Sequence, residues 1–162
     1  MKANRHRPHL HILPEDDANR QIAKGFASHV SVKDVKMQVL PEAHGWGRVL
    51  DEFDATHSRE LKKYPNRFLV LLIDFDEDGA RRQLVQSRIP ADLLERVFVI
   101  GVWSEPERLK SQLGSYETIG NALAEDCFRD TNTTWSHSLL EHNTAELVRL
   151  REQVRPFLFE LT

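Results

Sequence analysis

The chain has 162 residues, 40% hydrophobic and 29% charged, which suits one compact domain (1–162) with a sizeable core. No apolar run approaches the roughly 18 to 20 residues needed to span a bilayer, so no membrane partner is expected. The single Cys127 excludes an internal disulfide framework, and the formal charge of −3 supplies no basic tail, although a local basic face can exist beneath that average.

The first stretch, MKANRHRPHLHIL, is basic but lacks a long apolar core and a small-residue cleavage site, so it does not read as a signal peptide and a cytoplasmic location is expected. HLHIL (9–13), bounded by Pro14, reads as a first strand, and DANRQIAKGFASHV then sets Ile22, Phe26 and Val30 at helical intervals. DVKMQVL (34–40) alternates as a second strand, and from Trp46 the residues Val49, Leu50 and Phe53 recur with helical spacing. RFLVLLID (67–74) and RVFVIGVW (97–103) are almost continuously apolar, as parallel strands covered on both faces are. A helix with Ala80, Leu84 and Val85 on one stripe follows the third strand, and one through Leu109 and Leu113 follows the fourth.

This alternation predicts an α/β fold: a mainly parallel sheet of about four strands flanked by helices. The last fifty residues depart from it and read as C-terminal helices. SYETIGNALAEDCF carries Ile119, Leu123 and Cys127 on one side. A final helix is expected to open at Ser138, with Glu141 in capping-box spacing and Leu140, Leu147, Leu150 and Val154 as its buried stripe.

The informative stretch is LLIDFDEDGA (71–80), where an apolar strand runs into Asp74, Asp76, Glu77, Asp78 and Gly79. A calcium loop would need a bidentate Glu where Val85 stands, and the preceding segment is a strand rather than a helix. A strand ending in Asp-x-Asp also opens the site of haloacid-dehalogenase phosphatases, which keeps a phosphatase as an alternative. On a strand, Asp74 and Asp76 point to the same side, where two carboxylates can share a divalent ion such as Mg²⁺. Helix capping explains Asp78 cheaply, but it does not explain a carboxylate ending a buried apolar strand. LPEDD, at the end of the first strand, offers Glu15 as a further ligand, while Asp16 reads as the N-cap of the first helix.

A glutamate after the first strand (Glu15 in HILPEDDANRQIAKGF) followed by a strand ending in Asp-x-Asp (Asp74 and Asp76 in LLIDFDEDG) resembles the Toprim domain of primases, topoisomerases and OLD-type nucleases. The resemblance covers about 9–113, the C-terminal helices (about 115–160) lying outside it; Asp16 stands where the family commonly has glycine. It implies a Rossmann-like sheet and an enzyme of phosphodiester hydrolysis acting on nucleic acid, DNA or RNA. Glu15 would be an acid/base or metal-linked group, and Asp74 and Asp76 would hold Mg²⁺ or Mn²⁺. Asp78 and Glu105 are auxiliary metal ligands on this reading, although Ser104 and Glu107 flank Pro106 with capping-box spacing. OLD-type relatives join an ATPase to this unit, and the chain has no P-loop, so a separately encoded ATPase partner in a defence or repair system is expected. The contrasting reading is a non-catalytic Toprim-like interaction module.

Other residues read as structural. His6, His9 and His11 lack the partners of a zinc site and read as part of a solvated N-terminal edge, and Cys127 reads as a small buried hydrophobe. Arg81 and Arg82 read as a solvated helix face near any bound phosphate, and Trp46, Trp103 and Trp135 as buried aromatics.

Overall fold

The computed structural model describes residues 5–161. Four strands, β1 (His9–Pro14), β2 (Met37–Val39), β3 (Arg67–Leu72) and β4 (Val97–Ile100), form one all-parallel sheet in the order β2-β1-β3-β4. The fold is α/β and Rossmann-like. Side chains alternate across the sheet as the two-residue period requires. Leu10, Ile12, Val70, Phe98 and Ile100 face one apolar layer, and Leu13, Leu69, Leu71, Val97 and Val99 face the other. Each central strand is therefore buried on both sides, which is why β3 appears in the sequence as a nearly continuous apolar run, while β1 interleaves its apolar residues with the buried His9 and His11.

Helix α1 (Asp17–Ala27) covers the first face, and the segment joining β2 to β3 covers the second. That segment is one helical path: α2 (Trp46–Glu52), a π-helical stretch (Phe53–His57) and α3 (Ser58–Lys63), with Val49, Leu50, Phe53 and Leu61 buried. The chain leaves β1 toward β2 on one side and returns to β3 on the other, so the strand order reverses between β1 and β3. In open α/β sheets this switch point opens a crevice beyond the carboxyl ends of the strands, where ligands bind.

Beyond α4 (Arg81–Ser87), β4 and α5 (Pro106–Leu113), the C-terminal helices α6 (Tyr116–Arg129), α7 (Thr144–Gln153) and α8 (Arg155–Leu158) pack on the first face. Helices α1 and α6 approach closely because glycines meet the opposing backbone: a Cβ at Gly25 would lie 2.2 Å from the Glu117 carbonyl oxygen, and one at Gly120 would lie 1.9 Å from that of Ile22. The edge strand β4 is closed by side chains instead of another strand. Glu146 Oε2 accepts the Val99 N–H (2.9 Å), and Asn143 exchanges two hydrogen bonds with the Gly101 backbone. Arg82 donates to the His142 carbonyl and to Asn143 Oδ1, which fastens α4 to the same segment. Among the described residues no helix is long and apolar enough to cross a membrane.

Several local expectations are corrected. Helix α1 stops at Ala27, and Val30 is 94% exposed instead of lying on its buried stripe. The second strand shortens to Met37–Val39 because Asp34–Lys36 form a 3-10 turn. In α4 only Val85 is buried, with Ala80 outside the helix and Leu84 exposed. The final helix begins at Thr144, not Ser138: a 3-10 turn over Glu141–Asn143 intervenes, although Leu140, Leu147, Leu150 and Val154 are buried as expected. Arg82 is tied into the fold rather than solvated, and His9 and His11 lie inside the protein rather than on a wet edge.

Candidate active site

The switch point brings Glu15 and Asp74 together. Pairing extends one residue past β1, where the Glu15 N–H donates to the Leu72 carbonyl. The loop after β2 then folds over this strand end, with the His44 and Gly45 N–H groups both donating to the Glu15 carbonyl. His44 and Gly45 have φ values of 69° and 129°, the left-handed conformations that let two successive amides reach one oxygen. With its backbone so held, Glu15 turns its carboxylate across to the neighbouring strand, where Oε2 accepts the Asp74 N–H at 2.6 Å. Both acids are buried, Glu15 at 9% exposure and Asp74 at 7%.

Asn19, with no exposed surface, completes the inner wall. Asp16 caps α1 through its Oδ1, which accepts the Asn19 N–H, and this places the Asn19 amide between two carboxylates. The amide Nδ2 donates to Asp16 Oδ1 (3.0 Å) and to Asp74 Oδ1 (2.9 Å). Its own Oδ1 is buried without a hydrogen-bond partner among the described residues. The remaining oxygens, Glu15 Oε1 and Asp74 Oδ2, receive no donor from the described residues.

The electrostatics follow from that poverty of donors. Burial, then the neighbouring Glu15, Asp16 and Asp76 charges, push the Asp74 carboxyl up to about 8 against the pull of the Asn19 hydrogen bond. Glu15 is likewise raised, first by burial and then by Asp16 and Asp76, with the Asp74 N–H and Arg81 opposing. The site is a pocket of carboxylates short of positive charge.

Asp76 stands apart from this pair. Strand β3 ends at Leu72, and although Phe75 still pairs with Val102, Asp76 and Glu77 adopt left-handed backbone conformations with φ of 47° and 60°. The two-residue alternation that would align Asp76 with Asp74 is therefore broken. The Asp76 side chain is 59% exposed and pairs with Arg81 at 2.8 Å. Arg81 also donates to the Asp74 carbonyl (2.7 Å) and lies 4.5 Å above the Trp46 ring, so it clamps the turn instead of facing solvent. Asp78 Oδ1 accepts the Ala80 N–H just before α4, in keeping with a turn-forming role. Glu105 is the exposed N-cap of α5, ahead of Pro106, and makes no side-chain capping bond; Ser104, expected to cap, is buried with its hydroxyl unpartnered among the described residues. Among the described residues no group of three or more His, Cys, Asp or Glu side chains is arranged to hold a metal ion.

An open concavity of about 520 Å³ adjoins Glu15, lined by Trp46, Gly47, Arg48 and Arg88 among others. It gives the Glu15 side of the switch point a solvent-accessible approach. Asn19 is the participant that the sequence reading passes over, and Arg81, expected on a solvated helix face, instead clamps the turn. The spacing Asp16-x-x-Asn19 is a capping signal in its own right, but nothing local indicates that Asn19 also reaches Asp74. Comparison with protein-family models, curated proteins and solved structures found no match.

Proposed function

We propose that the chain is a Toprim-like hydrolase of nucleic-acid phosphodiesters that works with Mg²⁺ or Mn²⁺. The supporting observation is the convergence of Glu15 and Asp74, two buried carboxylates at adjacent strand ends of the switch point, each with one oxygen left unengaged by the described residues. Buried carboxylates without a compensating cation are costly, and a hard divalent ion that keeps several waters suits one or two carboxylates. Glu15 Oε1 and Asp74 Oδ2 would hold it, with Asp76 able to join from the turn once released from Arg81.

When bound, the ion supplies charge stabilisation to phosphoryl transfer. The chain's own groups do the rest. Asn19 and the Asp74 N–H orient the two carboxylates before substrate arrives. Where Asp74 Oδ2 carries the ion alone, Glu15 Oε1, on a carboxyl raised by burial, is suited instead to accept a proton from an attacking water. Arg81 fixes the turn and presents a cation beside the acids. On this reading a separately encoded ATPase would supply any motor function in defence or repair. A second reading, a non-catalytic interaction module, is favoured by one observation: no three-acid metal group is assembled among the described residues.

The decisive experiment incubates the purified protein with DNA and RNA panels in Mg²⁺ or Mn²⁺, alongside Asp74→Asn and Glu15→Gln. Cleavage lost in both variants supports hydrolysis at this site. Cleavage that survives both refutes it.

A further inference from the structure

The opposite end of the sheet carries a contrasting cluster. His9 and Arg67 pair in register at the amino ends of β1 and β3. Arg67 is 6% exposed, and its Nε–H donates to His9 Nε2 at 3.0 Å. The His9 Nδ1–H donates to the Arg7 carbonyl, so both ring nitrogens are engaged and the imidazole is neutral. The Arg67 Nη groups make no hydrogen bond among the described residues. The paired carboxylate, Glu60, is 3.8 Å from Nη1 and beyond bonding distance.

More cations gather on Tyr64. Arg67 lies 4.6 Å, Lys63 5.4 Å and Arg5 5.5 Å from its ring centroid, and Arg5 Nη1 donates to its hydroxyl at 3.1 Å. Lys36 adds a further positive charge near His9, and burial, then the Arg67 charge, lowers His9, His11 and His57 below the ordinary imidazole value. Among the described residues, Arg5, Lys63 and Arg67 thus stand around a nearly buried aromatic ring, with Glu60 near Arg67. Tyr64 is 9% exposed, which leaves too little ring for a base to stack upon. What this pole offers is the exposed guanidinium of Arg5 and ammonium of Lys63 as donors for anionic oxygens, with the buried Arg67 adding positive charge behind them.

We propose that the exposed cations Arg5 and Lys63, standing over Tyr64 with the buried Arg67 behind its ring, bind the phosphate backbone of a polynucleotide without regard to base sequence. This pole is separate from the hydrolytic site, because the acidic pair lies at the other end of β3, about 20 Å away at roughly 3.3 Å per residue.

The test is fluorescence anisotropy with a labelled single-stranded oligonucleotide of about 20 nucleotides, as DNA and as RNA, in EDTA so that no cleavage enters. Arg5→Glu/Lys63→Glu, two exposed positions, is compared with Lys24→Glu/Lys110→Glu, an equal charge change elsewhere on the exposed surface. Thermal melts verify that both variants are folded. The pole variant should bind about tenfold or more weakly and lower the salt slope by about 1.4, roughly 0.7 for each phosphate no longer neutralised on a single strand. The control should bind within about threefold of the parent. Equal losses in both variants, no loss in the pole variant, or no binding by the parent at low salt would each overturn the proposal. Competition with inorganic phosphate separates the two sources of the anion. Displacement at concentrations where chloride of equal ionic strength has no effect would make the ligand a single phosphate and overturn the polynucleotide assignment. Because Asp74 and Glu15 are untouched, either result leaves the cleavage assay independent.

Discussion

Two buried aspartates in this protein are treated very differently. Asp126, 3% exposed near the end of α6, accepts four hydrogen bonds: from the Thr131 hydroxyl and from the Thr133, Thr134 and Trp135 N–H groups. Among the described residues Asp74, 7% exposed, accepts one, from Asn19, and has other carboxylates for neighbours. Asp126 is a fastener that holds the 131–135 loop against its helix. Asp74 is a carboxylate whose surroundings leave it short of partners. A buried charge satisfied by backbone donors explains itself through folding, whereas one left short of donors calls for a ligand or a proton.

The comparison breaks most visibly at Asp126. Asp126→Ala leaves three loop N–H groups and a hydroxyl without their acceptor, and should cost on the order of 3 kcal/mol or more in urea unfolding. A loss below about 1 kcal/mol would mean that the loop finds other partners and that the contrast with Asp74 is not one of structural dependence.

Asp74→Asn should do the opposite. The Asp74 carboxyl is raised from 3.8 to about 8 in the folded chain, so between those pH values the folded state holds a proton that the unfolded state has released. Stability is then fullest below pH 3.8 and falls as pH rises toward 8, with Glu15 acting in the same direction. The asparagine variant removes most of that slope and should be more stable than the parent at pH 8, by about 1–3 kcal/mol. Denaturant titrations across this pH range in EDTA read both quantities. An unchanged slope would show that Asp74 ionises freely in the fold.

A divalent cation should offset the same penalty in the parent. At pH 8, Mg²⁺ or Mn²⁺ at about a hundred times its dissociation constant adds about 2.7 kcal/mol, a rise in melting temperature of about 5–10 °C for a chain of this size. Asp74→Asn and Glu15→Gln should lose that rise. A parent that gains nothing from either ion favours the interaction module.

How far the sequence anticipates these features depends on the range of the forces involved. Strands β3 and β4 are legible because burial on both faces writes itself as an apolar run, β1 is legible as a short apolar segment stopped by Pro14, and the Glu15–Asp74 meeting follows once those strand ends are neighbours. The Asp16 cap is legible because its partner is three residues away. The end of β3 is not: nothing in IDFDEDG reveals that Asp76 and Glu77 turn left-handed, a geometry stabilised by the Glu77 N–H bond to the Trp103 carbonyl. Nor does local pattern reveal that Arg82 and Glu146 serve as ties, since their partners are 17 to 61 residues away. Ser138 and Glu141 satisfy a capping pattern, yet the local 3-10 turn and the buried Asn143 tie to Gly101 delay the helix to Thr144.

The smallest expected effect sharpens the boundary of the site. Glu105 has the charge and the strand-end location of a metal ligand, but its side chain is exposed and forms no capping bond. Glu105→Gln keeps the shape and removes only the charge, so it should alter stability by less than about 0.5 kcal/mol. The same substitution should leave the cation-induced rise in melting temperature as it is in the parent, because Glu15 and Asp74 carry the unengaged oxygens. A tenfold loss of cation affinity in Glu105→Gln would instead place the loop after β4 at the ion, and the site would then extend across three strand ends rather than two.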